Sequence, residues 1–249
     1  MEKKSGADMA EAASVGMDRE YAEKRAKKPH LIFRYRTRAL LAARALRKHG
    51  PGDGQGLHVL DIGSADGLTL REMSARMPGA RFTGLEYSGD FVRAAGELPG
   101  NIRIFQGDAA EPPEEVAGER YGGVTALAVL EHLPDPARVL ARVAGLLEPG
   151  GVFVATCPHP GWDAVSERLG LVPGGQHAVD MTLRLMRRLV EEAGLEPVRL
   201  GRFMFAPVSF LPYFKIAVPP AFGLGVDRAM AWPRLLNFLF VNQYVIARK

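Results

Sequence analysis

Residues 57–67 read LHVLDIGSADG, and this stretch decides the fold. Leu57 to Ile62 is a short, mostly apolar run that passes directly into Gly63-Ser64-Ala65-Asp66-Gly67. Gly63 and Gly67 let the backbone turn sharply and approach a ligand closely, and the turn opens into a helical stretch from Leu68 to Met77. A strand ending in a glycine turn at a helix N-terminus is the opening unit of a parallel α/β sheet.

The same alternation continues downstream. The pattern predicts strands at Arg81–Glu86, Asn101–Gln106, Val124–Leu130 and Gly151–Thr156, with helices at Asp90–Leu98, Pro136–Leu147 and Met181–Ala193. Asp135 followed by Pro136 reads as an N-cap with proline at the first helical position, and Pro149-Gly150-Gly151 as a helix stop. Asp180 is the expected cap of the Met181 helix; Leu185, Met186, Leu189 and Val190 form its apolar face, and Gly194 ends it. Upstream, a helix from Leu31 to Lys48 is expected to bury Leu31, Ile32, Tyr35, Ala39, Ala42, Ala43 and Leu46, with Arg34, Arg38, Arg44 and Lys48 outside the stripe. Residues 1–28 read as a flexible polar lead, and the domain proper as 29–249. Within it, 55–157 forms the ligand-binding core and 158–241 the acceptor side.

Composition narrows the class. The chain has 249 residues with 47% hydrophobic and 24% charged, which excludes collagenous and wholly disordered chains. Its single Cys157 excludes a disulfide framework and a CxxC zinc cluster. The N-terminal MEKKSGADMAEAASVG lacks an apolar signal region, so a cytoplasmic location is expected. The first 50 residues hold 13 Lys/Arg against 6 Asp/Glu, and from Lys24 to Gly50 there is no acid. Such a block reads first as a solvated helix face, and functionally as a contact with anionic lipid, nucleic acid or an anionic substrate; without an aromatic-studded basic sheet, the solvated face is favoured and nucleic acid is not expected. Met204 to Gly223 is aromatic and nearly uncharged, but Pro207, Pro212, Pro219 and Pro220 exclude a spanning helix.

Ligands of open parallel sheets bind beyond the carboxyl ends of the strands. There stand the Gly63–Gly67 turn, then Glu86, an acid some 20 residues on that can accept both hydroxyls of a ribose. Gly107-Asp108-Ala109 follows, offering a carboxylate for an exocyclic amine and an amide for a ring nitrogen, and then Leu130-Glu131-His132.

In this order and spacing, VLDIGSADG, GLEYS, GDAAE, ALAVLEHLPDP and LLEPGGVFVAT resemble the class I S-adenosylmethionine-dependent methyltransferases. They are most similar to the small-molecule branch that includes the ubiquinone-biosynthesis enzymes. The resemblance is strong over residues 55–157 and continues weakly to the terminal QYVIARK. It implies a Rossmann-like, seven-stranded, mostly parallel sheet with helices on both faces, an N-terminal helical cap and an apolar insertion before the last strand. It assigns Asp61, Gly63, Ser64 and Gly67 to the methionine part of S-adenosylmethionine, Glu86 with Tyr87 to the ribose, and Asp108 with Ala109 to the adenine. Leu130 and Glu131 become the wall nearest the sulfonium. Two departures stand out: Ala65 where the family often has glycine, and Tyr121-Gly122-Gly123 where it often has an acid. Some quinone O-methyltransferases place a metal-binding Glu three residues before the Glu-His pair; Ala128 stands there, so no metal is expected.

Methyl transfer needs a nucleophile aligned with the S–CH3 bond and a base if that nucleophile carries a proton. His159, His132, Asp163 and His177 are the candidates for the base. Seven of the twelve phenylalanines lie from Phe203 onward, and the Met204–Asn237 insertion is expected to close the pocket over an apolar or aromatic acceptor. A nicotinamide dehydrogenase fits badly, since a GxGxxG frame begun at Gly63 meets Ala65 and Leu68. The alternative from another class is a catalytically silent S-adenosylmethionine-binding or membrane-peripheral protein.

Overall fold

The computed structural model describes residues 28–168, 178–232 and 234–249. Its strands are β1 His58–Ile62, β2 Arg81–Glu86, β3 Ile102–Gln106, β4 Tyr121–Leu127, β5 Leu147–Pro158, β6 Glu196–Phe205 and β7 Phe240–Arg248. They form one seven-stranded sheet in the order β3-β2-β1-β4-β5-β7-β6. β7 alone runs antiparallel, paired with β5 on one side and β6 on the other. The order reverses between β1 and β4, which makes their carboxyl ends the place to look for a ligand.

The helices are α1 Pro29–His49, α2 Leu68–Ser74, α3 Gly89–Ala94, α4 Glu114–Ala117, α5 Pro136–Leu146, α6 Pro160–Arg168, α7 Leu183–Glu192, α8 Ala206–Ser209 and α9 Pro220–Met230. Every residue of β1 and β4 is buried, as strands covered on both faces must be. On one face, Ala39, Ala42 and Leu46 of α1 and Leu70 and Met73 of α2 pack on Val59, Phe82 and Val154. On the other, Val139, Leu140 and Val143 of α5 and Met186 and Val190 of α7 pack on Leu60, Val124, Phe153 and Ala155.

The alanine stripe of α1 lets the helix lie close on the sheet. Gly123 completes the fit, because a β-carbon there would stand 2.5 Å from Leu46 Cδ2. That contact accounts for Gly123, while at Gly122 a β-carbon would stand 2.5 Å from Leu57 Cδ1.

Several expected boundaries move. β4 ends at Leu127, not Leu130: Ala128 turns to φ +62°, its N–H bonds the Thr156 carbonyl at 2.8 Å, and Leu130–His132 forms a 3-10 turn. β5 begins at Leu147 because Tyr121 already pairs with it before the register shifts. α2 and α3 stop early, at Ser74 and Ala94. α7 starts at Leu183, and its cap is Thr182, whose Oγ1 accepts the Leu185 N–H at 3.1 Å, rather than Asp180. Met181 is held outside the helix, its side chain buried and its carbonyl accepting from Gln243 Nε2. Met204 and Phe205, read as insertion, are the end of β6. The insertion itself holds α8, a 3-10 turn at Leu211–Phe214, α9 and a second 3-10 turn at Arg234–Leu239. The expected flexible lead lies outside the described residues, Lys28 excepted.

Candidate functional site

The glycine turn grows out of β1 by backbone hydrogen bonding to β2. The N–H groups of Gly63 and Ser64 both reach the Leu85 carbonyl, at 2.8 and 3.3 Å. Gly63 has φ +68°, and a β-carbon on it would stand 2.5 Å from Val129 Cγ2, so both conformation and space demand glycine. Gly67, at φ +74°, starts α2 in the left-handed region. Ala65 adopts φ +49° without being glycine, and its N–H donates to Glu86 Oε2 at 2.8 Å. The other Glu86 oxygen accepts the Ser88 N–H at 2.9 Å. One buried carboxylate thus ties the end of β2 to the turn after β1.

Asp61 closes β1 from inside. It pairs across the sheet with Thr125, whose Oγ1 donates to Asp61 Oδ1 at 2.5 Å. Burial pushes the Asp61 carboxyl up to about 7; the Thr125 hydrogen bond opposes the rise, and the negative charge of Glu86 adds to it. Tyr87 stands half exposed beyond β2, its carbonyl accepting from Gln106 Nε2 at 3.3 Å. After β3, the exposed Asp108 folds its Oδ1 back onto the Ala110 N–H at 2.8 Å, while Ala109 rests against the core.

After β4, Leu130 and Glu131 are both buried in the 3-10 turn. The Glu131 carbonyl accepts N–H groups from Ala178 and Val179, at 2.8 and 3.2 Å. Both oxygens of its carboxylate are buried with no hydrogen-bond partner among the described residues. The neighbouring thiol is inert: burial pushes Cys157 well up, and the Glu131 carboxylate beside it adds to the shift.

Arg38, expected on the solvated side of its helix, is instead 8% exposed. Its Nη2 donates to Asn242 Oδ1 at 3.0 Å, and its Nε is buried without a hydrogen-bond partner among the described residues. Burial lowers the Arg38 pKa, while Tyr35 and Glu131 raise it, which places Glu131 within electrostatic reach. Asn242 is fixed in turn by donating Nδ2 to Met204 Sδ at 3.1 Å. A signal for this did exist in the sequence: Asn242-Gln243 interrupts an otherwise apolar terminal strand, and buried amides need partners.

Arg38 Nε of α1 and the Glu131 carboxylate after β4, within electrostatic reach of each other, are buried without hydrogen-bond partners among the described residues, as are Thr156 Oγ1 near the end of β5 and Ser64 Oγ just after β1. Native proteins rarely leave such groups unmet, because each costs about 1–3 kcal/mol or more, unless a ligand completes them. The arrangement offers a cation and acceptors to a zwitterionic ligand, beside an acid suited to vicinal hydroxyls.

The candidate bases are less gathered. His159 follows β5, with its Nδ1 accepting the Gly161 N–H at 3.1 Å, so that nitrogen is occupied in starting α6. His132 is half-buried at the end of the 3-10 turn. Asp163 lies on α6, and His177 falls outside the described residues.

A family model described as a methyltransferase domain matches residues 25–200. The chain is 30% identical over 172 residues to the ubiquinone biosynthesis O-methyltransferase of Bordetella pertussis, covering 64% of this chain and 70% of that protein. It is also 30% identical over 194 residues to the enzyme of the same name from Dinoroseobacter shibae, covering 70% and 74%. Among solved structures, the plantazolicin methyltransferase BpumL in complex with S-adenosylhomocysteine is similar with a TM-score of 0.64 at 14% identity, covering 98% of this chain and 96% of that one. Magnesium protoporphyrin IX methyltransferase from Synechocystis is similar with a TM-score of 0.59 at 16% identity, covering 90% and 87%.

Proposed function

The chain belongs to the methyltransferase-domain family and takes its methyl group from S-adenosylmethionine, and from that premise we propose transfer to a small apolar or aromatic acceptor by in-line displacement. The observation that supports the binding part is the set of buried polar atoms without hydrogen-bond partners among the described residues, Arg38 Nε and the Glu131 carboxylate above all. The donor supplies the electrophile, a methyl on a sulfonium whose departure leaves a neutral thioether.

The residues present fit that donor. Glu86 can accept the ribose hydroxyls while holding the turn, with Tyr87 flanking. Asp108 and Ala109 border the adenine. Gly63, Ser64 and Gly67 give backbone and hydroxyl contacts to the methionine part, whose ammonium suits the Asp61 end of β1. Arg38 is the added member, a buried guanidinium for the methionine carboxylate. Leu130 and Glu131 wall the reacting methyl. In each case the protein positions the donor, and alignment supplies most of the acceleration.

The O-methyltransferase relatives favour an oxygen nucleophile. If it is protonated, Nε2 of His159 or the ring of His132 takes the proton. Phe210 and Trp162, with ring centroids 5.6 Å apart, give the acceptor side an aromatic wall. Ala128 leaves no carboxylate three residues before Glu131, so transfer is read as metal-independent. A labelled-methyl transfer assay over a panel of phenols and quinols tests this. Label should enter an apolar acceptor and persist in EDTA; loss with EDTA and recovery with Mg2+ contradicts metal independence, and label entering only polar acceptors contradicts the acceptor class.

A further inference from the structure

Among the described residues, the large hydrophobic side chains left in solvent are concentrated on one part of the chain. Tyr213, Phe214, Ile216, Phe222, Trp232 and Phe238 all belong to the insertion between β6 and β7, with Trp232 90% and Phe214 77% exposed. α9 is arranged for this: Gly223 and Asp227 turn inward, Gly223 against Phe33 of α1, while Phe222, Gly225 and Arg228 face out.

Within the insertion, the charged side chains left exposed among the described residues are of one sign. Between Phe203 and Val241 the single acid is Asp227, and it is buried, accepting the N–H groups of Met204 and Phe205 at 2.8 and 2.7 Å. Lys215 and Arg228 remain exposed. The acid-free helix α1 joins the same face, His30 stacking on Tyr213 at 4.0 Å and Arg34 Nη2 donating to its hydroxyl at 3.2 Å.

We propose that this face, formed by the insertion and the start of α1, docks on an anionic lipid surface. Aromatic side chains enter the headgroup boundary, and Lys215, Arg228 and the basic start of α1 meet the lipid charge. A second copy of the chain fits less well, since protein interfaces exclude charge from their centres and Lys215 stands between Phe214 and Ile216. The contact is peripheral, because no helix among the described residues is long and apolar enough to cross a membrane. α1 also carries Arg38, so docking would set the site's opening beside the bilayer where an apolar acceptor is dissolved.

Vesicle flotation with the full chain tests the proposal, and it does not depend on the methyl-transfer reading. Phosphatidylglycerol mixed with phosphatidylcholine should carry the protein at low salt, and binding should fall about tenfold or more on phosphatidylcholine alone or at high salt. Phe214→Ser combined with Trp232→Ser should weaken flotation by about tenfold or more, with S-adenosylhomocysteine binding unchanged as proof of folding. Protein that stays with the soluble fraction at low salt overturns the proposal. So does flotation indifferent to the double substitution, or a stable dimer that the double substitution dissociates.

Discussion

At the residue scale, the turn after β1 carries one strained position and one position that cannot change. Ala65 at φ +49° bears a conformation that costs a β-carbon about 1–2 kcal/mol. Ala65→Gly should therefore raise unfolding stability in urea by ~1 kcal/mol, the relief exceeding the added chain entropy of glycine. A loss of stability would mean that the turn holds no strain. Gly63 is the opposite case, since a side chain would meet Val129. Glu86→Ala should weaken S-adenosylmethionine binding by ~1–3 kcal/mol in calorimetry, through lost charge-assisted hydrogen bonds and a loosened Ala65 amide; unchanged affinity would remove Glu86 from the ribose site. Glu86 was legible because its distance from the glycine turn is set by one helix and one strand. Arg38 was not, because a charge on a basic helix looks solvated until the amide that receives it is located on β7.

At the scale of elements, strand positions followed from apolar runs, whereas their ends did not. β4 stops where Ala128 takes a left-handed turn, a choice its neighbours impose and its own residue type does not announce. The α7 cap shows the same limit: by type Asp180 is the better cap, yet Thr182 caps the helix and Met181 between them is buried outside it. Thr182→Ala should lower stability by ~1 kcal/mol in thermal unfolding, while Asp180→Ala should stay within about 0.5 kcal/mol of the parent. The reverse order would restore Asp180 as the cap. The Asp135–Pro136 start of α5 was readable outright, because a capping acid and an N1 proline leave few alternatives; Asp135 Oδ1 accepts the Arg138 N–H at 3.0 Å.

Across the whole molecule, buried carboxyl groups set the pH response. Burial raises the Asp61 carboxyl to about 7 and the Asp227 carboxyl to about 6, both above their unfolded value of 3.8. The folded state then binds protons that the unfolded chain has released, so these groups make unfolding easier as pH rises from about 4 to 7, with no further change above. Thermal midpoints of the ligand-free protein should show that fall, and Asp61→Asn should flatten its upper part; an unaltered slope would contradict the burial of an ionisable Asp61. Removing one member of a buried polar set leaves the others uncompensated, so Arg38→Met, which strands Asn242 Oδ1 and the buried Glu131 carboxylate, should lower the thermal midpoint of the empty protein. The measurement that bears most directly on the site is calorimetric titration of S-adenosylhomocysteine into Arg38→Met beside the parent. One-to-one binding by the parent and about tenfold to hundredfold weaker binding by the folded variant are predicted from the loss of a charge-assisted pair. Equal affinity in the two proteins would contradict the claim that the buried, unsatisfied groups await the methyl donor.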